Sequence, residues 1–147
     1  KNKPIIARQI GEDMFGKPKH GWVDIDIGEY HGHGSYLTDI HYDFLDAAVH
    51  AFRNNVPFVL YIDEEGCDTF VTSYYADTFV NRVTDKVETY HSNIGFQDLI
   101  DEGLSDIERY LEDWAMYWGY DDDDDAETIR GRVETMQSMI AEIRGYL

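Results

Sequence analysis

The last third of the chain constrains the fold most, because its apolar residues recur with the period of an α-helix. Two sets of apolar side chains follow alternating steps of four and three residues, which places each set on one helix face. The first set is Ile100, Leu104, Ile107, Leu111, Trp114 and Trp118, and the second is Ile129, Val133, Met136, Ile140, Ile143 and Leu147. The intervening loop, Gly119 to Asp124, therefore predicts a C-terminal helical hairpin with helices at 98–118 and 126–145.

The first half of the chain carries the signals of a small antiparallel sheet. Residues 22–27 alternate between apolar and polar types, which predicts a strand with one face in the core and a carboxylate-bearing outer face. Segment 56–75 contains two apolar runs around an Asp-Glu-Glu-Gly turn, which predicts a β-hairpin whose first strand is buried. Residues 5–10 indicate a further, shorter strand near the beginning of the chain.

A helix is predicted at 39–54, where Thr38 is a suitable N-cap. Its apolar face comprises Ile40, Phe44, Ala47, Ala48, Ala51 and Phe52, and Asp39, Asp43 and Asp46 lie opposite. Residues 76–90 are ambiguous, because their apolar residues keep helical spacing but their Thr and Val content favours a strand. We predict a helix there, and we expect residues 1–147 to form a single acidic α+β domain.

Charge is the most unusual property of the composition. The 30 Asp and Glu residues outnumber the 12 Lys and Arg residues, which gives a net charge of −18. Residues 20–81 contain 11 carboxylates but only Arg53 as a basic residue, and residues 98–127 contain 13 carboxylates but only Arg109. Self-repulsion on this scale destabilises a compact chain, and it excludes nucleic acid and anionic membranes as direct partners of these surfaces. Solubility alone or a halophilic origin would also produce acidity, but we favour a surface selected to meet a positively charged partner.

The carboxylates of the last third are predicted to form the partner-binding surface. At about 100° per residue, seven of them fall on the helix face opposite the apolar residues. They are Asp98, Asp101, Glu102, Asp106, Glu108, Glu112 and Asp113, and the loop continues the surface with Asp121, Asp122, Asp123, Asp124 and Asp125. Tyr117 and Tyr120 lie beside it as interface candidates, because Tyr is favoured in protein interfaces.

The run from Asp121 to Asp125 resembles a calcium-binding loop only superficially. Alternate Asp residues suit calcium, but an EF-hand loop needs Gly at its sixth position and Glu at its twelfth. Ala126 and Arg132 occupy those positions, so we interpret the run as a solvated loop that leads into a helix cap at Asp124 or Asp125.

Signals for catalysis or for a resident metal are weak. His31 and His33 would project on the same side of an extended segment, but no second cluster of ligands accompanies them, and we predict a polar loop there. Cys67 lies among acidic residues, which raise the pKa of a thiol and oppose its activation. We therefore expect no enzyme activity and no cofactor.

The leading hypothesis is a nucleic-acid mimic, because helical carboxylates lie about 5.4 Å apart, a spacing of the same order as that of phosphate charges. Such an acidic protein would inhibit a nuclease or another DNA- or RNA-binding protein, as a phage-encoded factor of the anti-restriction or anti-CRISPR type. One alternative is an immunity protein or antitoxin that adds a specific apolar contact to charge when it covers a basic toxin. A second alternative is a small metal enzyme built around His31 and His33. With one cysteine and no apolar run of about 18 residues, we expect a cytoplasmic protein with no membrane partner.

Overall fold

The computed structural model describes residues 13–117 and 125–147, and these residues form six strands and four helices of the α+β class expected from the sequence. The elements in chain order are β1 (Trp22–Ile27), β2 (Tyr30–Ser35), α1 (Ile40–Asn54), β3 (Phe58–Asp63), β4 (Asp68–Tyr74), β5 (Asp77–Val83), β6 (Val87–Ser92), α2 (Phe96–Arg109), α3 (Leu111–Ala115) and α4 (Ala126–Tyr146). The strand predicted at 5–10 lies outside the described residues. Among the described residues, no helix combines the length and the apolar character needed to cross a membrane.

β1 and β2 form an antiparallel hairpin of their own. The strand predicted at 22–27 is confirmed, but the polar loop expected at 31–34 is wrong, because those residues belong to β2. Gly32 and Gly34 point inward, where an added side chain would overlap the Tyr30 hydroxyl at one position and the Ile40 side chain at the other. The glycines therefore allow close packing inside a strand, a role that their sequence pattern does not reveal.

The strands β3 to β6 form an antiparallel meander in which each strand pairs with the next. The hairpin predicted at 56–75 is confirmed by β3 and β4, but the helix predicted at 76–90 is wrong, because this segment forms β5 and β6. Thr78 and Val80 point into the core, whereas Phe79 between them points outward. Alternation of this kind suits Thr and Val in a strand and outweighs the helical spacing of the larger residues.

The sequence at the end of α1 favours termination of the helix. Asn55 adopts a left-handed conformation with φ of 53°, and its backbone N–H donates to the Ala51 carbonyl. Pro57 then follows, a residue that could not continue the helix. At the other end the N-cap residue is Asp39 rather than Thr38, and the Asp39 side chain makes no capping hydrogen bond.

The core lies between the inner face of the meander, the β1–β2 hairpin and the helices. Phe44 of α1 is fully buried, and its ring lies 5.4 Å from the ring of Phe15 and 5.2 Å from that of Phe58, between ring centroids. A side chain at Gly103 of α2 would collide with the Phe44 ring, so this glycine allows the two helices to approach closely. Truncating Phe44 to alanine would cost about 3–5 kcal/mol of stability.

The C-terminal helices differ from the prediction at one point. The first helix does not run unbroken over 98–118, because Tyr110, with φ of −130° and ψ of 44°, separates α2 from α3. The second helix is confirmed as α4, with Met136, Ile140 and Ile143 buried. Asp125 caps α4 as predicted, since its carboxylate accepts a 2.8 Å hydrogen bond from the Thr128 backbone N–H.

Candidate functional site

The acidic helix surface predicted from the sequence is partly neutralised within the chain. Arg144 of α4 forms ion pairs with Asp101 at 3.2 Å and with Glu108 at 2.9 Å, measured between nitrogen and oxygen. Asp98 and Glu102 are half-buried on α2. Two further carboxylates of the predicted surface, Glu112 and Asp113, lie in the first turn of α3, where negative charge is favourable. Neither Glu112 nor Asp113 has an ion-pair partner among residues 13–117 and 125–147.

Asp106 is buried, so its assignment to the solvent-facing surface is wrong. Its side chain is only 6% exposed, and it accepts a 3.1 Å hydrogen bond from the Phe15 backbone N–H. Burial raises the pKa of Asp106 to about 6, and the Asp13 charge adds to the effect, against the lowering influence of the Phe15 N–H and of Arg109. The strand-like segment around Phe15 covers this side of α2, a long-range contact that helical periodicity cannot reveal.

Tyr117 is also buried, which makes its assignment as an interface residue wrong. Its hydroxyl donates to the Gly34 carbonyl at 3.2 Å, and its ring packs against Trp114 with centroids 5.2 Å apart. Tyr117 follows the short helix α3, which the non-helical Tyr110 separates from α2. Tyr120 and the residues from Asp121 to Asp124 lie outside the described part of the chain.

The two histidines of β2 lie on its exposed side, as the sequence suggested for an extended segment. Each faces an Asp directly across the hairpin: His33 Nδ1 lies 2.8 Å from the Asp24 carboxylate, and His31 Nδ1 contacts that of Asp26. Within 13–117 and 125–147, no group of three or more His, Cys, Asp or Glu side chains is arranged to hold a metal ion. The geometry gives cross-strand acid–histidine pairs, not a cluster of converging ligands.

Glu64, in the β3–β4 connection, joins the β1–β2 hairpin to the meander. Its carboxylate accepts hydrogen bonds from Arg82 at 2.8 Å, from the Tyr30 hydroxyl at 2.9 Å, from the His33 backbone N–H at 3.1 Å and from the Thr69 hydroxyl. Burial alone would raise the pKa of Glu64, but the bonds from Arg82 and the other donors lower it to about 2. The Glu64 carboxylate is therefore committed to the fold and does not serve a partner.

The sequence did not predict the open apolar surface on the outer face of the meander. We call it the outer sheet face: the side chains that alternate with the buried ones, namely Val59, Tyr61, Asp63, Asp68, Phe70, Thr72, Tyr74, Asp77, Phe79, Asn81, Val83, Val87, Thr89 and His91. Phe70 is 39% exposed, Phe79 41% and Val59 55%, although such residues are usually covered. No Lys or Arg lies on this face, and the structure describes every residue of 58–92.

Side chains on the outer sheet face are held in place by their neighbours. The Tyr61 and Phe70 rings face each other across β3 and β4 with centroids 5.2 Å apart. Phe79 stacks on the His91 ring at 4.7 Å, and His91 Nε2 lies 2.7 Å from the Asp77 carboxylate. Fixed aromatic rings lose little conformational entropy when a partner covers them, which favours their use in binding.

An acidic groove closes one end of the outer sheet face. Four carboxylates line it beside Leu37 and Cys67, and they are Asp63, Glu65, Asp68 and Asp85. None of the four forms an ion pair with a Lys or Arg among the described residues, although the neighbouring β5–β6 turn carries Lys86. Asp68 instead accepts a 2.6 Å hydrogen bond from the Tyr61 hydroxyl, a bond that raises the pKa of Tyr61 to about 12.

An aromatic pocket lies at the opposite end of the outer sheet face. Tyr74 and Tyr75 line it together with Phe52 and Phe96, and Asp98 contributes a carboxylate. Tyr75 is 77% exposed, and its ring lies 4.1 Å from that of Tyr74. The pocket therefore presents apolar rings to solvent next to one negative charge.

The sequence did contain a signal for the outer sheet face. Residues 58–62 are apolar at every position, and this run was interpreted as a buried strand, but only alternate residues of it are buried. In an antiparallel sheet, a strand with apolar residues at every position exposes apolar side chains on its second face unless another part of the protein or a partner covers them.

Comparison with known proteins finds no matching family model, no similar curated protein and no similar solved structure, so these surfaces are interpreted from their own chemistry.

Proposed function

We propose that this chain is an acidic binding protein that captures a basic protein in the cytoplasm and blocks its activity. The observation that carries the proposal is the set of carboxylates that the fold leaves without cationic partners. Glu112 and Asp113 on α3, and the four carboxylates of the acidic groove, form no ion pair among the described residues. With a net charge of −18, these groups attract Lys and Arg side chains over long range and repel nucleic acid.

Two forms of such capture remain in competition. A nucleic-acid mimic needs a continuous array of open carboxylates, and the array expected on α2 is interrupted by the buried Asp106 and by the pairing of Asp101 and Glu108 with Arg144. An immunity protein or antitoxin needs a specific apolar contact beside the charge. The exposed rings of the outer sheet face favour this second form, and we therefore place it first.

A small metal enzyme built around His31 and His33 receives less support from the geometry. The Nδ1 atoms of both imidazole rings already contact Asp carboxylates across the hairpin. The first and last residues of the same strand, Tyr30 and Ser35, are buried in the core. We expect the double substitution His31→Ala with His33→Ala to leave partner capture unchanged. Tightly bound stoichiometric metal in the wild-type protein, lost together with activity in the variant, would favour the enzyme instead.

The proposal is tested by affinity capture from a nuclease-treated lysate of the source cells. We expect the immobilised chain to retain a basic protein at low salt and to release it at high salt, because screening weakens contacts between exposed charges. The captured protein, purified separately, should lose its own activity when the chain is added in equal amount. Capture that is insensitive to salt, or a captured protein without a basic surface, would contradict the proposal.

A matched pair of triple variants separates local charge from total charge. Glu65→Gln, Asp85→Asn and Glu112→Gln remove three open carboxylates, whereas Glu29→Gln, Glu127→Gln and Glu134→Gln remove three exposed carboxylates elsewhere. Both variants carry the same net charge, so a difference between them reports the position of the charge. We expect the first variant to bind the captured protein about 10–100-fold more weakly, and the second to bind it almost like wild type.

A further inference from the structure

The outer sheet face has the composition of a docking surface and not that of a solvated sheet. Antiparallel sheets that expose one face to water usually place polar side chains there. Here Val59, Tyr61, Phe70, Phe79 and Val87 are all more than a third exposed. They lie on four adjacent strands, where Tyr61 pairs directly with Phe70 and where Thr72 separates Val59 from Phe79. Apolar side chains gathered on one exposed face are typical of interaction sites.

We propose that a basic protein docks on the outer sheet face, with apolar side chains over Phe70 and Phe79 and with a Lys or Arg in the acidic groove. This inference rests on the proposed function and assigns to it a specific surface. Charge complementarity identifies the occupant. The face carries Asp63, Asp68 and Asp77 and no Lys or Arg, so a partner with cations beside its apolar side chains complements this face in charge.

The groove and the aromatic pocket give this surface two distinct ends. Asp68 and Tyr74 are six positions apart on β4, which corresponds to roughly 20 Å along the strand. A partner that spans this length places a cation at one end and an apolar side chain against Tyr74 and Tyr75 at the other. Two ends of different chemistry fix the direction in which the partner lies.

Two other occupants fit the surface less well. A second copy of this chain would bring the Asp63, Asp68 and Asp77 carboxylates of both copies into one interface, which like-charge repulsion opposes. Single-stranded nucleic acid stacks on aromatic sheets, but such sheets also need basic residues along the phosphate backbone. The meander offers none on this face within its fully described residues.

The test uses three synthetic peptides that differ in one property each. The first contains both Lys and Trp, the second has every Trp replaced by Ser, and the third has every Lys replaced by Gln. Affinity is measured by calorimetry, and the binding site is mapped from the shifts of backbone amide signals in NMR spectra. We expect the first peptide to bind most tightly and to shift amides of β3 to β6, since it alone satisfies both the rings and the carboxylates.

The key variant carries Phe70→Thr and Phe79→Thr, which remove the exposed rings but keep residues that favour strands. We expect it to bind the first peptide at least about tenfold more weakly. The matched control is Met116→Thr, because Met116 is an apolar residue with 42% exposure, close to the 41% of Phe79, but it follows α3 and does not lie on the meander. The control should bind within about twofold of wild type.

Folding of each variant is checked by NMR signal dispersion. If the double variant does not fold, Val59→Lys gives the same test, because Val59 is 55% exposed on an edge strand and a Lys there should repel the basic peptide. A folded variant that binds like wild type overturns the docking surface, as do amide shifts confined to α2 and α3. A wild-type dimer in sedimentation that Phe70→Thr and Phe79→Thr dissociate would assign the face to a second copy.

The outcomes also separate this inference from the proposed function. If the carboxylate variant loses affinity for the basic peptide but the ring variant does not, capture of basic proteins stands and the docking surface falls. If neither Lys-containing peptide nor any basic protein binds the wild-type chain, both fall together.

Discussion

The buried Asp106 gives a sharp test of how this chain responds to pH. Its pKa is raised from 3.8 to about 6 in the folded protein, with burial as the largest cause. A carboxyl whose pKa is raised on folding is bound to its proton more tightly in the folded state than in the unfolded state. Its contribution to the free energy of unfolding therefore increases as pH falls from about 6 towards 4, and at neutral pH the ionised group destabilises the fold.

The size of the effect follows from the shift in pKa. Two pKa units correspond to about 3 kcal/mol, and this is an upper bound because the surroundings of a real carboxylate relax. In the variant Asp106→Asn the amide carbonyl still accepts from the Phe15 N–H, but the buried charge is gone and so is the 3.4 Å ion pair with Arg109. We expect the variant to be about 1–2 kcal/mol more stable than wild type at pH 7.5.

Urea unfolding of both proteins at pH 7.5 and pH 4.5 measures this difference. The comparison with wild type removes the contribution of general charge repulsion, which both proteins share. We expect the advantage of the variant to shrink towards zero at pH 4.5, where Asp106 of the wild type is protonated. A variant that is less stable than wild type by the same amount at both pH values would show that ionisation of Asp106 does not destabilise the fold, and it would refute the reasoning.

Three further predictions follow from other features. Glu64→Gln should lower the free energy of unfolding, measured in urea, by about 2–4 kcal/mol, because it leaves Arg82 without its carboxylate partner. The double variant with Arg82→Gln should lose less stability than the sum of the losses of the two single variants. Tyr117→Phe should cost about 1 kcal/mol through the lost bond to Gly34 but leave partner affinity unchanged, as measured by urea unfolding and calorimetry. The melting temperature should rise between about 10 and 300 mM salt at fixed pH, because screening reduces self-repulsion; a flat or falling value would mean that the charges are compensated internally.

The sequence predicted those elements whose periodicity has a single interpretation. The strand at 22–27, the hairpin at 56–75 and the helices at 39–54 and 126–145 each follow one clear pattern, and all are present. The helix predicted at 76–90 was wrong, because the apolar residues of this segment satisfy helical and strand spacing at once. Only the pairing with β4 decides between a helix and a strand. The strand β2 was missed for the opposite reason. Glycines occupy its inward positions, so the sequence shows no alternation of apolar and polar residues there.

The candidate site was harder to predict than the fold. Helical phase placed Asp106 on the polar side of α2, but the chain around Phe15 folds over that position from about 90 residues away. Arg144 forms ion pairs with Asp101 and Glu108 from another helix, and no local sequence pattern reveals these pairs. The charge of the sequence thus predicted an acidic surface, whereas tertiary contacts decide which of its carboxylates remain exposed.

Alternation along the meander has a consequence for how such a protein evolves. The inward residues of β3, β4 and β5 contribute to the core, and the outward residues between them point to the opposite side of the sheet. Mutations at Phe70, Thr72 or Phe79 can therefore change one face of the sheet without cost to the other. A lineage under pressure from a changing target could exchange these residues one at a time while the inward-facing core residues stay unchanged.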